Sequence, residues 1–541
     1  MDYRGWTARS PAGLRPLGLL IFSLATLSLA LWSLGLGQRP LHNDEAVNGI
    51  KFGRLWQGGG YQYDPNEHHG PSLYYATYAI NRLTGAPAGL DTFSEARLRL
   101  VTVVFGVGLI LLLPLLVDGL GRRGIGWAAL LTAVSPAVVF YSRYFIHEVL
   151  LVFFTFLSLA AGWRYWRSRK LVWALLAGLG LGLMDATKET FVIAVVVAGL
   201  ALGANFAWNR WLQAAVQPTN RPRLRVAHLL AFLAVWLGAS FLLFSSFFSN
   251  AAGPIDSIRT YLPWMQRAEG ASPHIHPWHF YWHRLLWFHV GKGPVWSEAF
   301  VLLLALLGAR AAFVRQGLAD ANVGFVRLLA LYSFGLAAAY CLIAYKTTWC
   351  LLGFWHGMIL LAGVGAAWLT GLAARSLSRR WLQALLLIGA GHLAWQAWLL
   401  NTTYAADRRN PYIYAQTSPD LLTLVDKVQD VIRASPQGTA TVVKVISPES
   451  DYWPLPWYFR NLTQVGWYDA LPADPFAPIM VVSANLRAAL EEKQTHVMVG
   501  YFQLRPQVFL ELYVELKLWQ SYLTRKGAIP APATAPTKTT D

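Results

Sequence analysis

The strongest constraint on this chain is the spacing of its apolar residues, which occur in long blocks separated by short polar gaps. A bilayer core needs about 20 mainly apolar residues per helix. Eleven segments approach this length, with approximate bounds 17–37, 97–118, 125–141, 146–163, 171–185, 190–208, 226–248, 297–314, 325–344, 349–371 and 381–400. The sequence therefore predicts a polytopic α-helical membrane protein with about 11 transmembrane helices.

The composition agrees with this fold class. The 541 residues are 55% hydrophobic and 13% charged, about half the charged share of a soluble globular protein. Two of the segments, 125–141 and 171–185, are short enough to be re-entrant helices instead. The first segment resembles a signal peptide because three arginines precede it. It has no small-residue cleavage site, so we expect it to be retained as a membrane anchor.

Positive charges predict the orientation, because cytoplasmic loops retain Lys and Arg. The alternate loops on one side hold nineteen of the 45 basic residues and only three acids. These basic residues are Arg4, Arg9, Arg15, Arg122, Arg123, Arg164, Arg167, Arg169, Lys170, Arg210, Arg221, Arg223, Arg225, Arg310, Arg315, Arg327, Arg375, Arg379 and Arg380. The net charge of +17 thus reflects topology, and nucleic acid is excluded as a partner.

This orientation defines the expected organisation. A multi-pass domain, 1–400, lies in the plasma (inner) membrane with a cytoplasmic N-terminus and two long outer loops, 38–96 and 249–296. A small extracytoplasmic α/β domain follows at 401–525, and the Pro- and Ala-rich tail, 526–541, is expected to be disordered. Twenty-five of the 28 carboxylates fall on the outer side, which predicts that the chemistry is performed there.

The first outer loop carries two groups of polar residues. Asp44 and Glu45 begin a loosely amphipathic stretch that ends near Trp56. They can equally be a helix cap followed by a dipole-favoured acid. The second group, which contains Glu67, His68 and His69, precedes a helix expected to start at Pro71.

Shorter outer turns repeat this pattern of acids, imidazoles and cations. Arg143, His147 and Glu148 lie in one turn, Lys188 and Glu189 in a second, and Tyr345 and Lys346 in a third. Because these turns emerge on the same side as the first loop, we expect them to converge on one pocket. Arg143, Lys188 and Lys346 would supply cations for a phosphate, although each can instead be a snorkelling residue at the membrane interface.

Several of these motifs resemble those of the GT-C glycosyltransferases. The motifs are the early Asp44-Glu45 pair, the loop ending in His68-His69-Gly70-Pro71-Ser72-Leu73-Tyr74-Tyr75, and Arg143-Tyr144-Phe145 with Glu148. Within that superfamily the chain is similar to the dolichyl-phosphate-mannose-protein mannosyltransferase and aminoarabinose transferase group. Residues 345–350, 410–412 and 451–458 look like the prokaryotic flippase activity-associated branch.

The resemblance implies an integral-membrane enzyme that transfers a sugar, with inversion, from a polyprenyl-phosphate-linked donor to an acceptor hydroxyl on a protein, glycan or lipid. It assigns the catalytic base to Asp44 with Glu45 beside it, and donor phosphate binding to Arg143, Lys188 and Lys346. The remaining polar residues are sugar-binding candidates: Glu67, His68, His69, His147, Glu148, Glu189 and Tyr345. The first loop has no Asp-x-Asp triplet, so no cofactor is expected to be required, and a divalent metal stays possible.

Other interpretations stay open at this level. A lipid-linked sugar flippase also places charges near the membrane, and a non-catalytic assembly protein would use the outer domain to recruit partners. His279 and His283 are one helical turn apart and could share a metal ion. However, the aromatic residues between and around them are typical of a helix in the headgroup region of the bilayer.

After Asn401 the pattern predicts a helix from Ser418 to about Arg433, strands at 439–446, 477–483 and 496–504, and a helix ending near Leu523. Five aromatic residues of this domain could stack on sugars or pack internally, and we favour packing. They are Trp453, Trp457, Tyr458, Trp467 and Tyr468.

Overall fold

A computed structural model describes residues 15–66, 69–212, 224–269, 274–315, 317–318, 320–373, 375–488 and 490–528. The chain divides into two compact units. Unit 1 comprises residues 1–37, 51–88 and 93–414, and unit 2 comprises residues 38–50, 89–92 and 415–541. Of the expected tail, 526–541, only the first three residues lie within the described part of the chain.

Unit 1 is helical, and all eleven predicted segments are occupied by helices. Within the described ranges, eight helices are long and apolar enough to cross a membrane. They are Arg15–Trp32, Glu95–Leu120, Glu148–Ser168, Phe191–Trp211, Val226–Phe244, Val323–Leu342, Thr348–Leu372 and Ser376–Asn401. The chain is therefore a multi-pass membrane protein, as predicted.

The three remaining segments are less regular. Helices Arg122–Val134 and Pro136–Ser142 meet at an angle of 59° and together form one broken apolar span. The break lies at Ser135, whose extended ψ of 120° is the conformation that a following proline favours. The other two segments are the shorter apolar helices Leu171–Asp185 and Ala299–Val314.

Small residues allow the central helices to pack closely. Helix Ala299–Val314 lies against helix Leu351–Leu372. A Cβ atom on Gly308 would collide with the carbonyl of Leu361, and one on Gly365 with the carbonyl of Leu304. Such backbone proximity replaces the hydrophobic driving force that is absent between helices in lipid.

The two predicted outer loops carry short helices. The first loop holds helices Asn43–Trp56 and Ser72–Leu83, and Pro71 precedes the second as predicted. The second loop holds helices Gly253–Arg259, Tyr261–Glu269 and Phe280–Leu286.

Unit 2 contains a five-stranded sheet, whose strands are β1 Val443–Ile446, β2 Val465–Tyr468, β3 Ile479–Ser483, β4 His496–Arg505 and β5 Val508–Glu515. Their order across the sheet is β2-β1-β3-β5-β4. Strand β1 pairs in parallel with β2 and β3, whereas β5 runs antiparallel to β3 and β4. Helices Asp420–Ala434, Leu455–Tyr458 and Leu516–Arg525 complete the unit.

The secondary structure predicted for this region was incomplete. Both helices and parts of all three predicted strands are present, but β2 and β5 were missed. Strand β5 follows β4 after a short turn, so the final helix begins only at Leu516. Two of the aromatic candidates pack internally, because Trp457 is fully buried and Trp467 lies 4.8 Å from the ring of Tyr452.

Candidate active site

The part of the first outer loop that belongs to unit 1 is joined to the turn at 186–189 by backbone hydrogen bonds. The amide of Gly70 donates to the carbonyl of Thr187 at 3.0 Å, and the amide of Ser72 donates to that of Ala186 at 2.9 Å. A Cβ atom on Gly70 would collide with the Ala186 carbonyl, so this approach requires glycine. The pairing places His69 beside the polar turn.

His69 and Glu189 form a hydrogen-bonded pair beside this turn. Nδ1 of His69 lies 2.8 Å from Oε2 of Glu189, and the hydroxyl of Tyr63 donates to the other carboxylate oxygen at 3.4 Å. Burial alone would raise the pKa of Glu189, but the adjacent His69 lowers it below its ordinary value. The indole of Trp264 stacks on the His69 ring at 5.2 Å, so helix Tyr261–Glu269 covers one face of this pair.

Lys188 and Glu148 form a second, more deeply buried pair. Their Nζ and Oε2 atoms are 2.6 Å apart, and the side chains are 5% and 2% exposed. Burial would lower the pKa of Lys188, yet the Cys350 thiol and the Glu148 carboxylate raise it above its ordinary value. The ammonium is therefore charged, and Glu148 largely neutralises it.

His147 lies between these two pairs. Its Nε2 lies 3.0 Å from the carbonyl of Gly70, and its ring centre is 5.3 Å from that of His69. Burial, together with the nearby charges of His69 and Lys188, lowers the pKa of His147 well below its ordinary value. The imidazole is neutral, and Nε2 carries the proton that it donates to Gly70.

Lys346 is held by a different pair of segments. Its amide donates to the carbonyl of His274 at 2.8 Å, and the amide of His276 donates to that of Ala344 at 3.1 Å. The Lys346 ammonium donates to the carbonyl of His276 at 3.1 Å and to that of Ile343. Within the described part of the chain it has no carboxylate partner, and burial lowers its pKa.

Arg284, which the sequence analysis did not single out, lies near Lys346. Its guanidinium carbon is 3.7 Å from the centre of the Phe280 ring, and that ring stacks on His276 at 4.1 Å. Burial lowers the pKa of Arg284 to about 10, although the phenols of Tyr141, Tyr414 and Tyr281 act in the opposite direction. Its Nε is buried without a hydrogen-bond partner, and no described carboxylate pairs with it.

Other predicted residues of unit 1 have different environments. Arg143 donates to the carbonyl of Trp32 at 2.7 Å, at the end of the first long helix. The Tyr345 ring lies 4.8 Å from that of His274 and 6.3 Å from that of Trp264. Glu67 and His68 lie outside the described residues. The three predicted polar turns thus belong to unit 1, together with His69 and Gly70.

The pair Asp44 and Glu45 of the first outer loop belongs to unit 2 and forms a capping box. The amide of His42, the residue before the helix, donates to Oε2 of Glu45 at 3.0 Å. Nδ1 of His42 accepts from the amide of Asp44 at 3.1 Å, so this nitrogen carries no proton. Its 3.8 Å approach to the Asp44 carboxylate is therefore not an ion pair in this state.

The two adjacent acids have opposite environments. Glu45 is fully buried and lies 3.5 Å from the guanidinium of Arg39, whereas the side chain of Asp44 is 45% exposed. Asp44 lies in the first turn of the helix, where the helix dipole favours a carboxylate. Asp44 is therefore the member of the pair that is accessible to solvent.

The described residues contain no group of three or more His, Cys, Asp or Glu side chains placed to hold a metal ion. His279 precedes helix Phe280–Leu286, and His283 lies within it. Exposed Trp278 and Trp287 flank this helix, in keeping with the interfacial interpretation.

The comparisons with known proteins agree with this architecture. Residues 72–252 match the family model of dolichyl-phosphate-mannose-protein mannosyltransferases. The structure of ArnT from Cupriavidus metallidurans bound to undecaprenyl phosphate aligns with a TM-score of 0.60 and 13% identity, covering 92% of this chain and 98% of that chain. No curated protein matches the sequence at a significant level.

A second solved structure has the same fold. The archaeal oligosaccharyltransferase AglB from Archaeoglobus fulgidus, in complex with an inhibitory peptide and a dolichol-phosphate, aligns with a TM-score of 0.53 and 12% identity. The alignment covers 93% of this chain and 77% of that chain. At this identity the likeness concerns the fold.

The fold and the family match agree with the GT-C resemblance predicted from the sequence. The matched region, residues 72–252, is similar to the dolichyl-phosphate-mannose-protein mannosyltransferases, and the chain shares the fold of the ArnT and AglB structures.

Proposed function

We propose that this protein transfers a sugar from a polyprenyl-phosphate-linked donor, with inversion, to an acceptor hydroxyl on the outer face of the membrane. The observation that carries the proposal is the half-buried guanidinium of Arg284, whose Nε is fully buried without a hydrogen-bond partner and which has no described carboxylate partner. A cation that is partly removed from water is costly unless an anion compensates for it. The phosphate of a lipid-linked donor would supply that anion.

Lys346 strengthens the case for a phosphate site. Its ammonium donates only to carbonyls among the described residues, and it reaches the same His276 whose ring stacks on Phe280 beneath Arg284. Lys188 is the weaker phosphate candidate, because Glu148 already neutralises it. We therefore assign the donor phosphate to Arg284 and Lys346, with Lys188 and Arg143 supporting the neighbouring turns.

The comparisons support the same class of donor. The ArnT structure contains undecaprenyl phosphate, and the AglB structure contains a dolichol-phosphate. Both of these lipids are polyprenyl phosphates.

The chemistry needs one base and cations for the leaving group. Asp44 accepts the proton of the acceptor hydroxyl, and the oxygen forms a bond to the anomeric carbon from the face opposite the phosphate. The bond between that carbon and the phosphate oxygen breaks, and the lipid phosphate leaves with the electron pair. Arg284 and Lys346 stabilise this developing charge, so no strong general acid is required.

The remaining assignments complete the proposal. Sugar binding falls to His69, His147, Glu148, Glu189 and Tyr345, with Glu67 and His68 as further candidates from the same loop. The acceptor is a protein, glycan or lipid. The positive loops favour a plasma-membrane protein with its N-terminus inside and its C-terminal domain outside.

The test is transfer by the purified protein from a panel of radiolabelled polyprenyl-phosphate sugars, offered with hydroxyl-bearing peptides, saccharides and lipids. We expect transfer with inverted anomeric configuration and release of the polyprenyl phosphate, both with and without a chelator. Arg284→Met should weaken transfer, whereas Arg54→Met, at an exposed arginine of the first loop, should not. Retained configuration, or movement of the donor across vesicles without any transfer, would contradict the proposal.

A further inference from the structure

The backbone just before Asp44 is fixed by side chains of the C-terminal part of unit 2. The amide of Leu41 donates to the hydroxyl of Tyr458 at 2.8 Å, and the hydroxyl of Thr417 donates to the carbonyl of Leu41 at 2.7 Å. Gln416 adds a longer bond of 3.4 Å to the carbonyl of Pro40. Leu41 is fully buried, so water cannot replace these partners.

Beyond Leu41 the chain is fixed by the helix start. The carbonyl of His42 accepts a hydrogen bond from the amide of Ala46 at 3.0 Å, and the amide of His42 donates one to the buried Glu45 carboxylate. The imidazole of His42 accepts the amide of Asp44. Asp44 is therefore only three residues from the point that Tyr458 and Thr417 hold, with no freely rotating segment between them.

The residues on the other side of these bonds are themselves rigidly placed. Tyr458 ends a short helix in which Leu455 and Trp457 are fully buried. Thr417 precedes Ser418, whose amide donates to the carbonyl of Leu504 in strand β4 at 2.8 Å.

The same region makes a second attachment to the first loop. Arg460 lies 4.0 Å from the centre of the Trp457 ring and donates to the carbonyl of Leu90 at 3.1 Å. Two separate pieces of the loop, 38–50 and 89–92, are thus held by the C-terminal residues of unit 2.

We propose that Tyr458 and Thr417 are positioning residues for Asp44, and that holding this carboxylate is the role of the C-terminal domain in catalysis. The proposal rests on the proposed function, in which Asp44 is the base. An approach error of about 1 Å at a reacting group can cost about 100-fold in rate. Loosening Leu41 should therefore lower kcat and leave donor binding unchanged, because both side chains bind the backbone of Leu41, next to the base, and neither is among the proposed phosphate-binding residues.

The experiment compares Tyr458→Phe, Thr417→Val and Thr417→Ser with the native protein and with Tyr501→Phe. Tyr501 is an exposed residue of strand β4 and serves as the matched control. Hydrogen exchange of peptic peptides covering 38–46 reports directly on the Leu41 amide. Peptides covering strands β1 and β3 show whether the domain is folded.

We expect faster exchange at 38–46 in Tyr458→Phe and Thr417→Val, with unchanged exchange in the strands. In both variants kcat should fall by about 10- to 100-fold, while KM for the donor changes less than about 2-fold. Thr417→Ser keeps the hydroxyl and should restore both exchange and kcat. Tyr501→Phe should match the native protein.

Two results would overturn the proposal: native exchange at 38–46 in Tyr458→Phe, or faster exchange with unchanged kcat. A failure of the proposed function would look different. In that case Asp44→Asn would keep its activity, or the native protein would transfer no sugar. The hydrogen-exchange result would still show whether Tyr458 holds Leu41.

Discussion

The Nζ atom of Lys188 lies 2.6 Å from Oε2 of Glu148, and both side chains are almost completely buried. This pair joins the turn before helix Phe191–Leu212 to the start of helix Glu148–Ser168. Its burial makes it a structural connection between two of the polar turns, because each charge depends on the other for compensation.

Removing one partner should therefore be costly. Lys188→Met leaves the Glu148 carboxylate buried without a counterion, and we expect a loss of about 3–5 kcal/mol in unfolding free energy. Glu148→Gln should have a similar effect. The double variant should recover most of the loss, because no unpaired charge is left. Thermal unfolding in detergent measures all three, and single variants as stable as the native protein would show that the pair contributes little.

A buried neutral histidine makes stability depend on pH. The pKa of His147 is lowered well below its ordinary value of 6.5, so between these two values only the unfolded chain binds a proton. Stability should fall as the pH falls below 6.5, by at most about 1.4 kcal/mol per pH unit from this group.

The variant His147→Gln tests this origin. The glutamine amide can still donate a hydrogen bond to the Gly70 carbonyl, but it cannot titrate. The plot of melting temperature against pH should therefore become shallower between pH 7.5 and pH 5. His496→Gln, at a half-buried histidine of strand β4, is the matched control and should keep the native slope. An unchanged slope in His147→Gln would assign the pH dependence to other groups.

Gly70 should tolerate no larger residue. A Cβ atom there meets the Ala186 carbonyl, so Gly70→Ala must separate two backbone segments that share hydrogen bonds. We expect the free energy of unfolding to fall by about 1–3 kcal/mol. Hydrogen exchange should become faster in peptides covering 69–72. Gly391→Ala, at a glycine with open space around it, is the control. Native exchange in Gly70→Ala would mean that the segments can separate without cost.

Arg284 should act on the donor rather than on the fold. Arg284→Met removes a charge-assisted contact to phosphate, and we expect donor affinity to fall by about 10- to 100-fold. The rise in melting temperature caused by inorganic phosphate or a water-soluble isoprenyl phosphate offers a second measurement, and it should be smaller in Arg284→Met than in the native protein. Equal protection of the native protein and the variant would remove Arg284 from the phosphate site.

The sequence predicted the helical spans well because hydrophobic length is a property of each segment alone. Every predicted span is occupied by a helix, although the proline at residue 136 breaks one of them. Strand β2 was missed because it has only four residues, none of which is fully buried. Strand β5 was missed because its residues read equally well as the beginning of the helix that follows it.

The candidate site was predictable in kind but not in detail. The residue types and the shared side of the turns indicated that His69, His147, Lys188 and Glu189 would lie close together, and they do. Nothing in the order of residues showed that Glu148 compensates Lys188, or that Glu45 is buried while Asp44 is exposed. Arg284 was overlooked because its neighbours are aromatic, and only the fold shows that no described carboxylate lies beside it.

The most direct test of the proposed mechanism is the single-turnover rate of sugar transfer by Asp44→Asn, measured alongside donor binding. Asp91→Asn, the same substitution at an exposed acid of the first loop, is the matched control. We expect Asp44→Asn to bind the donor as the native protein does but to lose transfer by about 100-fold or more, while Asp91→Asn is unaffected. Transfer at the native rate in Asp44→Asn would contradict the assignment of Asp44 as the base.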